Sequence, residues 1–205
     1  MLDSLKASVL AYARRMAHLG LVPNTQGNVS ARDPATGLVV ITPHDLAYDV
    51  KTPDDLVVVD PQGRKVEGAR APSNEMPVHC AVYRNRPGVG GVVHAEPVTV
   101  NCFGALGIPI PPVVVGMLIA VGGDVPVMPF TPHTGTAKFG EDMLALMGDR
   151  TAVIWGNHGM LSFGRDLDAA FRVTVMVEHA AQVYHLARQL GTPVIVTPAM
   201  LHAPA

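Results

Sequence analysis

Short runs of β-branched residues that arrive in adjacent pairs constrain this chain more than any other feature. Residues 29–32 and 38–42 are separated only by the turn-forming stretch 33–37, and 56–59 (LVVV) is followed by Pro61-Gln62-Gly63 and then Lys65-Val66. Strands joined by so few residues pair antiparallel, because a parallel neighbour needs a crossover of about a dozen residues or more. The pattern favours an antiparallel sheet over a doubly wound one.

Helical spacing supplies the other elements. Residues 2–19 read as a helix with Leu5, Val9, Leu10 and Ala13 on one stripe, stopped by Gly20. Helices are also expected from residue 97 to 103, over 135–147 and over 168–190, the last with Phe171, Val175, Val183, Leu186 and Leu190 in register. Residues 152–155 read as a strand. The stretch 108–130, dense in Pro, Gly and aliphatics, reads as irregular buried loop and strand, and the segment after Leu190 as a cover for a pocket. There are no internal repeats, and residues 1–205 suffice for a single domain.

The composition excludes some partners. A formal charge of −2 without basic clusters argues against nucleic acid. No apolar run is long enough to span a bilayer, and the amphipathic start lacks a signal-peptide layout, so no membrane partner and a cytoplasmic location are expected. With 48% hydrophobic and 16% charged residues, the chain is more apolar than a small monomer can cover, and burial between subunits would use that surplus. Cys80 and Cys102 have no CxxC spacing and read as buried thiols.

The chemistry concentrates in residues 73–96, SNEMPVHCAVYRNRPGVGGVVHAE. A helix here, with Pro77 in its first turn, puts Glu75, His79 and Val82 on one face. Residues 90–93 then form a buried strand that delivers His94 and Glu96, which lie two apart and so point the same way. His158 sits in the tight Gly-Asn-His-Gly loop after the strand at 152–155. Imidazole and carboxylate are the usual ligands of a catalytic divalent ion, and Glu75 beside them has the chemistry of a general acid/base. Each also has a plainer use: a backbone-bonded histidine, an ion-paired Glu96, a helix-start carboxylate at Glu75. His18, His133, His179, His185 and His202 read as surface or helix histidines. Asn28 and Ser30, Thr42 and His44, and Ser73 and Asn74 form small polar groups suited to turns, or together to a hydroxylated or anionic ligand.

In order and spacing, Gly27-Asn28-Val29-Ser30, Ile41-Thr42-Pro43, Ser73-Asn74-Glu75, His79, Arg86-Pro87, His94 and Asn157-His158-Gly159 resemble the class II aldolase/epimerase/adducin-head family across nearly the whole chain. That group includes zinc-dependent fuculose-phosphate and rhamnulose-phosphate aldolases and ribulose-phosphate 4-epimerase. The resemblance implies a three-layer α/β/α fold with a central, mostly antiparallel sheet. It also implies a four-fold homotetramer with active sites between subunits. It further implies a divalent metal ion that acts as a Lewis acid in reversible aldol cleavage of a small hydroxy-carbonyl or sugar-phosphate substrate through an enediolate. In this pattern the metal is held by His94, Glu96 and His158, Glu75 shuttles the proton, and Asn28, Thr42, His44, Ser73 and Asn74 contact substrate.

Three positions depart from the family pattern. Glu96 stands where the family has the second histidine of a His-x-His pair, which tilts metal preference from zinc toward manganese, iron or cobalt. His44-Asp45 replaces the Ser/Thr-Gly of the phosphate loop, and both the carboxylate and the lost glycine disfavour phosphate. Gly116 stands where the fuculose-phosphate aldolases place a catalytic tyrosine. A decarboxylase of hydroxy-acids, a 4-epimerase using Asp124, and a non-catalytic adducin-like oligomerisation module are the competing readings.

Overall fold

The computed structural model describes residues 2–201. Helix α1 (Asp3–His18) leads into strands β1 (Asn28–Arg32), β2 (Val39–Ile41), β3 (Val57–Val59) and β4 (Lys65–Glu67). Helix α2 (Met76–Asn85) precedes β5 (Gly91–Ala95), and α3 (Val98–Leu106) and α4 (Val115–Val121) precede β6 (Val127–Met128). Helix α5 (Ala137–Met147) is followed by β7 (Ala152–Trp155), β8 (Gly159–Gly164), α6 (Leu167–Leu190) and α7 (Pro198–Leu201). The expected position of His202 lies outside the described residues.

Among the described residues, the eight strands form one sheet in the order β4-β3-β2-β1-β5-β8-β7-β6. Only β6 and β7 pair in parallel; the other neighbours are antiparallel, as the short turns require. Alternation along the strands supplies two apolar faces. Val29, Ala31, Val40, Val58 and Val93 pack with Val9 of α1, Val100 of α3, Met117 of α4 and Phe171 of α6. Val39, Ile41, Val57, Val59 and Val92 pack with Val78 of α2 and Met143 of α5. The result is a three-layer α/β/α fold. Each fully buried valine contributes about 1.5–3 kcal/mol to holding the layers together.

Two consequences of this packing position the site. Asn28 of β1 lies directly opposite His94 of β5, so both side chains leave the sheet on the face covered by α2 and α5. The Pro87-Gly88 turn into β5 is tied to β1 by Arg32, whose guanidinium donates to the carbonyls of Tyr83, Pro87 and Val89.

Four expectations are corrected. The buried face of α6 is Leu167, Ala170, Phe171, Val173, Thr174, Val177, Glu178, Ala180 and Ala181, whereas Val175, Leu186 and Leu190 are exposed. Small residues win because the helix lies directly on β8: a Cβ on Gly164 would stand 2.6 Å from the Ala170 nitrogen. Residues 108–130 contain a helix, α4, which starts after extended Val114 and stops at Gly122 with φ 90°. Cys80 is buried, but Cys102 is exposed on the outer side of α3. The segment after Leu190 is tied to Pro112 through the Val196 N–H at 2.8 Å, and residues 191–201 contribute nothing to the cleft described next.

Candidate active site

Three chain segments deliver four ionisable side chains to one point on the α2–α5 face. Glu75 occupies the N-cap position of α2, just outside the helix, with its carbonyl accepting the His79 N–H. His94 comes from the end of β5 and Glu96 from the residue after it. His158 comes from the β7–β8 turn, which Asn157 makes possible by taking a left-handed φ of 58°. Gly159 is obligatory for close approach: a Cβ there would meet the Ala95 carbonyl at 2.5 Å, the Glu96 Cγ at 2.8 Å and His94 Cε1 at 3.1 Å. This steric need explains why a Gly-Asn-His-Gly loop stands at the end of β7.

The atoms converge. His94 Nε2 lies 3.3 Å from Glu75 Oε2, and His158 Nε2 lies 3.2 Å from Glu75 Oε1. Glu96 Oε1 stands 3.8 Å from His94 Nε2 and 3.9 Å from His158 Nε2. The second nitrogen of His94 is spoken for, because Nδ1 lies 2.9 Å from the Met160 carbonyl, which can only accept. Nδ1 therefore carries the hydrogen and Nε2 offers a lone pair to the cluster, the tautomer a metal ligand needs. Trp155 stacks on the His94 ring at 4.6 Å and fixes its plane. Asn28 Nδ2 donates to Glu75 Oε2 at 2.7 Å and fixes the carboxylate.

These residues fit a divalent cation. Ligand atoms about 2.0–2.2 Å from one ion stand roughly 3–4 Å from each other. The potential ligand atoms of Glu75, His94 and His158 all lie within 4.8 Å of one another, so Glu75 joins the group in which Glu96 was expected, while Glu96 Oε1 stands 3.8 and 3.9 Å from the two imidazoles. The charge balance points the same way. Burial alone would raise the Glu75 pKa, but His94, the Asn28 hydrogen bond and His158 outweigh it and hold the carboxyl below its ordinary range. Burial opposes protonation of His94, yet Glu75 and Glu96 together raise its pKa. His158 is pushed down by burial and by His94. Two carboxylates drawing positive charge into a half-buried pocket is the electrostatic demand that a metal ion satisfies in place of a proton.

A cleft of about 370 Å³ opens onto the cluster. Asn28, His44, Ser73 and Asn74 line it. Ser73 also accepts the Glu75 N–H at 3.2 Å. Thr42 is placed elsewhere: it is 1% exposed and accepts the Val29 N–H at 3.2 Å, behind the wall rather than in it. Asp124 is bound by Arg150, at 2.5 Å from Nη2, and does not line the cleft.

The structure adds walls that the sequence reading missed, from Thr25-Gln26, Pro132, Thr134 and Gly135, beside Gly27 and Asp45 of the expected motifs. Their signals were turn chemistry. A Cβ on Gly135 would stand 2.6 Å from the Asn74 carbonyl, and Gly27 has φ 74° with its missing Cβ 2.8 Å from the His94 carbonyl. The Tyr48 hydroxyl, 2.8 Å from the Gln26 carbonyl and 2.9 Å from that of Gly27, holds this arm from behind.

With fold and site in hand, the comparisons with known proteins agree. Residues 7–185 match the class II aldolase and adducin N-terminal domain family, and the chain belongs to it. It is 32% identical over 194 residues to a 5-deoxy-D-ribulose 1-phosphate aldolase of Bacillus thuringiensis, covering 94% of this chain and 90% of the relative. It is 34% identical over 193 residues to a 5-methylthioribulose-1-phosphate/5-deoxyribulose-1-phosphate aldolase of Rhodospirillum rubrum, covering 94% and 86%. Among solved structures, an L-fuculose 1-phosphate aldolase superposes with a TM-score of 0.91 at 30% identity, over 98% of this chain and 94% of that one. The chain is a carbon–carbon lyase of the class II aldolase type.

Proposed function

We propose that the cleft performs reversible aldol cleavage of a small polyhydroxylated carbonyl compound, a sugar or sugar phosphate, with a divalent ion held by His94, His158 and Glu96 and with Glu75 moving the proton. The observation that carries this reading is the convergence of two imidazole Nε2 atoms and two carboxylates at one end of a polar cleft. Cleavage requires a base for the substrate hydroxyl, an electron sink at the carbonyl and an acid to return the proton to carbon. A bound divalent ion would supply the sink as a Lewis acid on the carbonyl oxygen. Glu75 suits the base: its carboxyl is held below the ordinary range despite burial, so it is ionised at neutral pH. Asn28 keeps the carboxylate aimed through its 2.7 Å hydrogen bond.

The nitrogen-and-oxygen donor set suits zinc, the ion the family resemblance implies, and Glu96 also makes manganese, iron or cobalt competent. The exposed Val98, Leu106, Ile119, Leu186 and Leu190 support a four-fold homotetramer that covers them. No described helix is long and apolar enough to cross a membrane, which supports the cytoplasmic reading. The test is direct: protein loaded with each metal is mixed with ketoses and ketose 1-phosphates while aldehyde release is followed. Aldehyde release that disappears in Glu75→Gln supports the assignment. A protein that carries one ion per chain and cleaves none of a broad ketose panel would be something other than an aldolase.

A further inference from the structure

Helix α3 starts two residues after Glu96 and has no cap of its own. Its N-cap residue is Pro97, whose ring offers no oxygen to the free N–H groups of the first turn. The cap comes from α6 instead. Glu178 Oε1 accepts the Thr99 N–H at 3.3 Å, and Oε2 accepts the Val100 N–H at 3.0 Å. The Gln182 amide, one turn further along α6, donates to Oε1 at 2.8 Å. Glu178 is 8% exposed, does not line the cleft and takes no part in the proposed reaction. A carboxylate is costly to bury, and a local Ser or Asp would have satisfied the same N–H groups at the surface.

What α3 anchors gives the arrangement a purpose. Glu96 Oε1 stands 3.8 and 3.9 Å from the two imidazoles, farther than the Glu75 oxygens at 3.3 and 3.2 Å. Its aim depends on the angle at which the chain leaves β5, and that angle is held at two points. The Glu96 N–H donates to the Leu21 carbonyl at 2.9 Å, and the Glu96 carbonyl accepts from Asn101 Nδ2 at 3.4 Å. Asn101 lies on the turn of α3 that Glu178 holds. Glu178 also removes a competitor: free N–H groups at a helix start attract a carboxylate, and the nearest one in sequence is that of Glu96. We propose that Glu178 is a positioning residue for the candidate metal centre, holding the start of α3 from α6 so that Glu96 faces His94 and His158. The proposal rests on the proposed function in taking Glu96 as a ligand. It ties the helix layer on one face of the sheet to the chemistry on the other.

The test is a double-mutant cycle read by metal binding rather than by activity. The full chain, freed of metal, is titrated with cobalt(II), whose visible absorption follows its ligand set. Wild type, Glu178→Ala and Glu178→Gln are compared, each alone and combined with Glu96→Ala, with denaturant midpoints measured alongside. The expected result is about 10-fold weaker cobalt binding in Glu178→Ala and a smaller loss in Glu178→Gln, which keeps one acceptor. Neither substitution should weaken binding further once Glu96→Ala is present. A cap that serves stability alone would lower the midpoint and leave cobalt affinity unchanged, or weaken it equally in both backgrounds, and either result overturns the proposal. Should Glu178→Ala fail to fold, Glu178→Gln carries the same comparison. Wild type that binds no cobalt, or Glu96→Ala that binds it as wild type does, would refute Glu96 as a ligand and this proposal with it.

Discussion

Two histidine clusters share the α2–α5 side of the sheet, and only one is built to do chemistry. His79 is wholly buried, with Nδ1 2.6 Å from the Ser30 hydroxyl, which in turn lies 2.8 Å from the Tyr83 hydroxyl. Burial pushes its pKa to about 3, so the ring is neutral at any ordinary pH. His94 is as deeply buried, yet two carboxylates face it and raise its pKa. The two residues differ in what surrounds the second nitrogen. In His79 that nitrogen meets no partner among the described residues, whereas in His94 it meets Glu75, Glu96 and His158 at the mouth of a cleft. Burial alone makes a histidine inert; burial beside carboxylates, with Nδ1 tied to a carbonyl, leaves Nε2 free to serve as the proposed ligand.

Variants can break this contrast. The largest effect is expected from Glu75→Gln, which keeps the Asn28 contact feasible but removes the base: kcat should fall by about 10²–10⁴-fold while bound metal persists. A variant with near-normal kcat would reassign the proton transfer. Next comes Gly159→Ala, whose Cβ would enter the space 2.5 Å from the Ala95 carbonyl and 2.8 Å from Glu96 Cγ. About 1–3 kcal/mol of stability should be lost in denaturant titrations, with a weaker metal dissociation constant, because the strain falls between two of the proposed ligands, His94 and Glu96. Unaltered metal affinity would show that His94 and Glu96 are not held by this turn.

The inert cluster gives the smaller effects. The native pKa of His79 is near 3 against an ordinary 6.5, so between those values the unfolded chain carries a proton that the native one refuses. Native stability therefore falls as pH drops from 6.5 toward 3 and is indifferent to this group above 6.5. The slope is at most about 1.4 kcal/mol per pH unit. Glu75, held below its ordinary range, adds to the same acid limb. His79→Gln should flatten that limb in thermal melts across pH, and an unchanged limb would mean that His79 protonates freely in the native fold. The smallest effect is expected from Tyr83→Phe, about 1 kcal/mol of stability for the lost hydrogen bond, with kcat and metal content retained. Loss of metal in Tyr83→Phe would join the two clusters into one.

Legibility in the sequence followed the range of the forces involved. Local pattern exposed α1, the β1–β2 and β3–β4 hairpins and β7, because turn residues and alternation act over a few positions. Helix α4 was hidden because seven apolar residues between a Pro-rich run and Gly122 show no polar face. The face of α6 was misread because its packing is decided by how closely Ala170 must approach Gly164, which only tertiary contact reveals. At the site, the convergence of Glu75, His94, Glu96 and His158 was legible from side-chain type at strand and helix ends. The cleft walls at Thr25-Gln26 and Pro132–Gly135 were not, since loops far apart in sequence meet only when the sheet brings them to one end. Thr42 shows the limit of reading by type, because the same hydroxyl that suits a substrate also suits the Val29 N–H.

The central claim is that His94 and His158, with the carboxylates between them, form a metal centre. It is tested most directly by elemental analysis of the purified protein beside His94→Ala, His158→Ala and Glu96→Ala. The account predicts about one divalent ion per chain in wild type, lost in both histidine variants and weakened by about 10-fold or more in Glu96→Ala. A wild-type protein that holds no divalent ion after reconstitution, or histidine variants that keep it, would contradict the account.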